Sequence, residues 1–184
     1  ILLDIQDTSE TFIKNIRQDK IPVVSFEDLG EGRNHVDLLI DCNLDEEKSK
    51  DLPDKVQTLF GYRYCVLAPE FEAFHSKKRD FKSTIGSVLI TLGGTDPHSL
   101  TSVLAEKILQ IQPELSMTLL AGPGCKNISA LKNLQNRSVK LLESTSQMPQ
   151  TLFDHDAVFC AGGVTLDEAM AGGTPAFVIN QVAH

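Results

Sequence analysis

Two glycine pairs stand where a strand-like pattern gives way to a helical one. They are Gly93-Gly94, followed by Thr95, and Gly162-Gly163, followed by Val164 and Thr165. Glycine lets the main chain pass close to a ligand, and the first turn of a helix leaves amide N–H groups without intrahelical partners. A phosphate suits such a place. In the helix after Gly163, Thr165 and Glu168 have the spacing of a capping box, which accounts for Glu168 without a substrate, and Leu166, Ala169 and Met170 form the expected buried face. A third turn, Gly122-Pro123-Gly124, has Asn127 where a dinucleotide fingerprint needs its last glycine, and it follows an inner strand; no P-loop occurs.

Other reactive residue types are dispersed. Cys42, Cys65, Cys125 and Cys160 match no metal-ligand or redox spacing and read as reduced and mostly buried; His35, His75, His98, His155 and His184 are equally scattered. No metal or cofactor is implied.

The elements that hold the glycine turns follow from periodicity. Gly86–Leu92, Leu115–Ala121, Val139–Leu142, Ala157–Ala161 and Ala176–Ile179 read as five strands, near-continuous apolar runs of the kind a parallel sheet buries on both faces. Between them lies a helix with Leu100, Val103, Leu104, Ile108 and Ile111 along one face, for which Asp96 reads as N-cap and Pro97 as first residue. A polar loop, Glu143–Met148, precedes a short helix through Phe153, and Met148 is most simply a core residue. Upstream, Ile1–Ile5, Ile21–Phe26 and Val36–Cys42 read as strands. Gln6–Ser9 caps a helix bearing Phe12, Ile13 and Ile16, and Asp28 reads as a solvated loop acid. Asn43–Asp54 reads as a loop or exposed helix, and 61–71 as extended. The composition shift over Glu72–Ser83, with only Phe74 and Phe81 for a core, places a domain boundary between residues 78 and 79. Alternating strands and helices predict α/β architecture with two Rossmann-like domains, 1–78 and 79–184.

The chain has 184 residues, 41% of them hydrophobic, with 17 basic against 25 acidic side chains and a net charge of −8. That composition supports a real core and argues against an extended nucleic-acid surface. No apolar run reaches membrane-spanning length and no signal peptide opens the chain, so the expected location is cytoplasmic. The chain begins at Ile1 without Met and stops after an apolar strand, which predicts a piece of a longer protein. Oligomeric state has no signature.

Three stretches carry a family resemblance: Leu89–Pro97 (LITLGGTDP), Met148 ahead of Asp154–Ala157 (DHDA), and Gly162–Ala169 (GGVTLDEA). With Asp4–Thr8, Phe26–Gly30 and Leu67–Phe71, the chain resembles the GT-B nucleotide-sugar enzymes. It looks most like the UDP-sugar hydrolase of pseudaminic acid biosynthesis and its spore-coat polysaccharide relatives, and more distantly like the N-acetylglucosaminyltransferase of peptidoglycan synthesis. The resemblance implies two GT-B Rossmann-like domains, the first incomplete, and a UDP-sugar hydrolase or glycosyltransferase acting at the anomeric carbon. By the same resemblance Gly93, Gly94 and Thr95 face the nucleotide-sugar cleft, and Met148 borders the uracil. Gly162, Gly163, Val164 and Thr165 lend amides to the diphosphate, Glu168 accepts from the ribose hydroxyls, and Asn180 and Gln181 lie near the sugar. A non-catalytic nucleotide-sugar binding module and a UDP-sugar epimerase are the alternatives. The hydrolases carry a histidine in a glycine-rich loop of the first strand–helix unit, and this chain opens after that unit; Ala68 stands where relatives are often basic. The catalytic residue is therefore unassigned.

Overall fold

Strands separated by helices or short helical turns pair only parallel to one another, in two separate sheets, as right-handed crossovers require. The computed structural model describes residues 1–17 and 21–180, and the chain divides into two compact units, Ile1–Val66 and Leu67–His184.

The first unit runs β1 (Leu2–Leu3), α1 (Glu10–Ile16), β2 (Val24–Phe26), β3 (Leu38–Asp41), α2 (Glu46–Ser49) and β4 (Gln57–Phe60), with sheet order β1-β2-β3-β4. Ser9 begins α1 as the polar run predicts, its Oγ accepting from the Phe12 N–H at 3.2 Å. Leu3, Ile13, Val23, Val36, Leu39 and Val56 form the core. Asp28 is not the solvated loop acid that its neighbours suggest: it is fully buried. Its carboxylate accepts from the Thr8 N–H at 3.0 Å, the Gly30 N–H at 2.9 Å, the Ser25 hydroxyl at 3.3 Å and the Thr8 hydroxyl. A buried carboxylate persists only when its lone pairs are used in this way, so Asp28 is the tie between the loops after β1 and β2. The extended reading of 61–71 also fails. Gly61, at φ +88°, ends β4, and short 3₁₀ turns, Tyr62–Tyr64 and Pro69–Phe71, follow.

The second unit runs α3 (Glu72–His75), β5 (Ser87–Thr91), α4 (Leu100–Ile111), β6 (Ser116–Leu120), α5 (Ile128–Asn133), β7 (Val139–Leu142), α6 (Met148–Phe153), β8 (Ala157–Cys160), α7 (Val164–Ala171) and β9 (Ala176–Val178). The five expected strands are all present. Their order is β7-β6-β5-β8-β9: the chain starts in the centre, steps outward to β7, then crosses back to β8 and β9. Alternate residues of β5 point to opposite layers. Val88 and Ile90 pack with Ala105 of α4, Leu131 of α5 and Met117, and Leu89 packs with Leu152 of α6, Ala169 of α7 and Val158. Ala169 and Leu166 face the core as expected, but Met170 is exposed.

The division falls earlier than the composition shift places it, because the Lys-rich segment belongs to the second unit. Phe71 is buried against Leu89 and Leu152, Phe74 meets the Phe153 ring edge-on at 5.7 Å, and Phe81 stays exposed. Arg79 does most of the anchoring. Its guanidinium donates to the His155 carbonyl at 2.7 Å, the Phe153 carbonyl at 3.0 Å, the Leu152 carbonyl at 3.2 Å and the Thr174 hydroxyl at 2.8 Å, while lying 4.8 Å from the Phe153 ring centroid. It thereby supplies donors to carbonyls at and just past the end of α6, of which the Leu152 carbonyl also accepts from the Thr174 hydroxyl at 3.0 Å.

Candidate functional site

Strand order reverses between β5 and β8, and the crevice outside the carboxyl ends at such a switch point is where open α/β sheets take ligands. Thr91 of β5 pairs with Cys160 of β8. Gly93 and Gly162 follow these paired residues at the same spacing, so the two glycine turns leave the sheet side by side.

The turns differ in what they offer. After β5, Gly93 is left-handed at φ +83°. Gly94 has open space where a Cβ would stand, with no atom within 4 Å. The loop continues through Thr95, exposed, to Asp96, buried, whose carboxylate accepts from the Leu100 N–H at 2.9 Å and the Thr101 N–H at 3.0 Å. Asp96 thus serves the helix start from outside it. Pro97 lies before the helix and Ser99 holds the N-cap position, because the carboxylate reaches over an extra turn instead of opening the helix directly. The head of α4 is already satisfied by protein.

The head of α7 is not. Its N-cap is Gly163, at φ +97° and ψ −160°, and no side chain among the described residues caps it. Val164 is its first residue and is exposed; Thr165 lies within the first turn instead of capping it, so the expected Thr165–Glu168 capping box does not form. Of the pair Gly162-Gly163, only Gly163 adopts a conformation that an L-residue avoids. A Cβ at Gly163 would meet nothing within 4 Å, and one at Gly162 would make only an ordinary 3.7 Å contact with Asn180 Oδ1. The space before the amides of Val164 and Thr165 is therefore open, and Asn180, just past β9, stands beside Gly162.

Glu168 lies half-buried in α7. Burial, and secondarily the charge of Asp167, push its carboxyl above the usual glutamate range. Met148 opens α6 and packs, partly buried, on the cluster containing Cys160 and Ala169. Gln181 lies outside the described residues. Beneath the open turns, Gly122 rests directly on Gly94: a Cβ there would collide with the Gly94 main chain, and the Gly124 N–H donates to the Gly94 carbonyl at 2.8 Å. The third glycine turn is therefore a support for the first. Sequence reasoning missed Arg79 and this support; the close main-chain approach of Gly122 to Gly94 has no local pattern.

Chemically, the α7 head can hold an anion through main-chain donors and the positive end of the helix dipole. Glu168 offers acceptors further along the same helix.

No family model matches this chain. Two curated relatives do, each 25% identical over 193 residues: the uncharacterized protein MJ1062 of Methanocaldococcus jannaschii, over 98% of this chain and 40% of that protein, and the spore coat polysaccharide biosynthesis protein SpsG of Bacillus subtilis, over 100% of this chain and 56% of that one. The chain spans only about half the length of these relatives. Among solved structures, a variant of Staphylococcus aureus TarM in complex with fondaparinux, alpha-GlcNAc-glycerol and UDP is similar at a TM-score of 0.60 and 16% identity, over 92% of this chain and 40% of that one. The glycotransferase of kitacinnamycin is similar at a TM-score of 0.57 and 13% identity, over 97% of this chain and 58% of that one. The parallel sheets and these neighbours together give the chain the α/β fold of GT-B glycosyltransferases, and its sequence is similar to that of a polysaccharide-biosynthesis protein.

Proposed function

We propose that this chain is the nucleotide-holding part of an enzyme that cleaves a UDP-sugar at its anomeric carbon, with UDP as leaving group and water or a glycan hydroxyl as acceptor. The observation that carries the reading is the uncapped head of α7, fronted by open glycines at the point where strand order reverses. As the anomeric C–O bond breaks, negative charge grows on the departing diphosphate. The amides of Val164 and Thr165, fixed by the helix, stabilise that charge without reorganising. Glu168 accepts from the ribose hydroxyls, Met148 borders the base, and Gly93, Gly94 and Thr95 form the opposite wall. Asn180, beside Gly162, lies near the sugar. Support for uracil comes from the UDP in the TarM complex, and support for a glycan-building role from the likeness to SpsG.

Calorimetric titration with UDP tests it. Saturable binding, lost in a variant with bulk at Gly94, is the expected result; absence of heat at millimolar UDP would overturn the assignment. Product analysis with UDP-sugars and the parent protein then separates hydrolysis from transfer: free sugar means water is the acceptor, and a new glycoside means a hydroxyl is.

A further inference from the structure

The four cysteines are dispersed in sequence, yet the fold of the first unit brings two of them together. Cys42 directly follows Asp41, the last residue of β3. The Gly61 N–H donates to the Asp41 carbonyl at 3.2 Å, which holds the exit of β4 alongside. The 3₁₀ turn Tyr62–Tyr64 then reverses the chain, and the Cys65 N–H closes it on the Tyr62 carbonyl at 3.1 Å. The Cys42 and Cys65 sulfurs lie within 4.8 Å of each other, both side chains half-buried, and the Cys42 thiol donates to Glu27 Oε1 at 2.7 Å. No disulfide joins them.

We propose that Cys42 and Cys65 are a dithiol site that peroxide oxidises to a reversible intramolecular disulfide. One thiolate attacks hydrogen peroxide and becomes a sulfenic acid, releasing hydroxide. The sulfur of the other then attacks that sulfenic sulfur, forming the S–S bond as water leaves. In sum, two thiols and one peroxide give one disulfide and two waters. A disulfide has sulfurs about 2 Å apart. The remaining gap closes by side-chain rotation and by movement of the turn carrying Tyr62 and Arg63, which is exposed and flanked by Gly61 with open space around it. The bond ties the last residues of the first unit to the end of β3.

The test is peptide mapping of the full chain after peroxide treatment and alkylation, without reductant. The expected product is a peptide pair joined through Cys42 and Cys65, lighter by the two thiol hydrogens and separated again by dithiothreitol. Cys65→Ser abolishes the linked pair, and the wild-type map stands alone if that variant fails to fold. Three results would each overturn the proposal: both thiols remaining alkylatable, either going on to sulfinic acid without a link, or either pairing with Cys125 instead.

Discussion

Burial and the Asp167 charge favour the protonated form of Glu168, whereas hydrogen bonds from a ribose diol favour the carboxylate. The folded-state value is therefore raised above the unfolded one. The associated stability is present at pH below the unfolded value and lost as pH rises through the folded value. Glu168→Gln removes that loss, so the variant melts at a higher temperature than the wild type near neutral pH, and the difference fades towards pH 4. UDP affinity moves the other way: about tenfold weaker in Glu168→Gln, for one charge-assisted hydrogen bond weakened. In the wild type it declines with acidification sooner than an ordinary glutamate would cause. Melting and calorimetry across pH read both effects, and an unchanged Kd would remove the ribose contact. The glycines divide in the same spirit. Gly94→Ala meets no protein atom and leaves stability unchanged while weakening UDP, whereas Gly122→Ala drives a methyl into the Gly94 main chain and costs about 1–3 kcal/mol, both seen in denaturant titration. The glycine pairs were legible in the sequence because φ freedom and turn position leave a local mark. That Asp96 caps the head of α4 was legible, although it does so from outside the helix; the bare head of α7 was not, because Thr165 and Glu168 have capping-box spacing but both lie inside the helix. The burial of Asp28 was hidden because its donors come mainly from Thr8 and Ser25, on other segments.

Among elements, Asp156 locks the entry of β8 to that of β5. Its carboxylate accepts from the Gly86 and Ser87 N–H groups, each at 2.9 Å, and from the Ser87 hydroxyl at 3.1 Å, with Lys82 at 2.9 Å. Lys82 first, then these main-chain donors, hold it down to about 2. The folded value lies below the unfolded one, so the stabilisation is present above about pH 4. It is lost as pH falls from there to about 2. Asp156→Asn costs about 1–2 kcal/mol at neutral pH, little of it from the exposed Lys82. Urea midpoints of wild type and variant converge over that acid window; a constant gap would contradict the lock. The central strands were readable because burial on both faces makes their sequences continuously apolar. β4 was not, since Gln57 and Thr58 interrupt its apolar run at the sheet edge. The unit boundary was missed because Arg79 secures a charged segment through carbonyls that no sequence pattern announces.

For the whole molecule, the nucleotide assignment places all its described contacts in one unit, with both of that unit's core layers contained within it. Residues 67–184 produced alone are expected to bind UDP within about threefold of the full chain, a difference under ~1 kcal/mol. A loss of a hundredfold would mean that the first unit supplies part of the site. Among the described residues no helix is long and apolar enough to cross a membrane.

The seating of Gly122 on Gly94 has a kinetic consequence. Main chain resting on main chain has no rotamers left to sort, so one wall of the crevice is already frozen when a ligand arrives. A nucleotide meeting that wall should associate in a single fast phase, with the ordering entropy extracted at folding instead of at encounter.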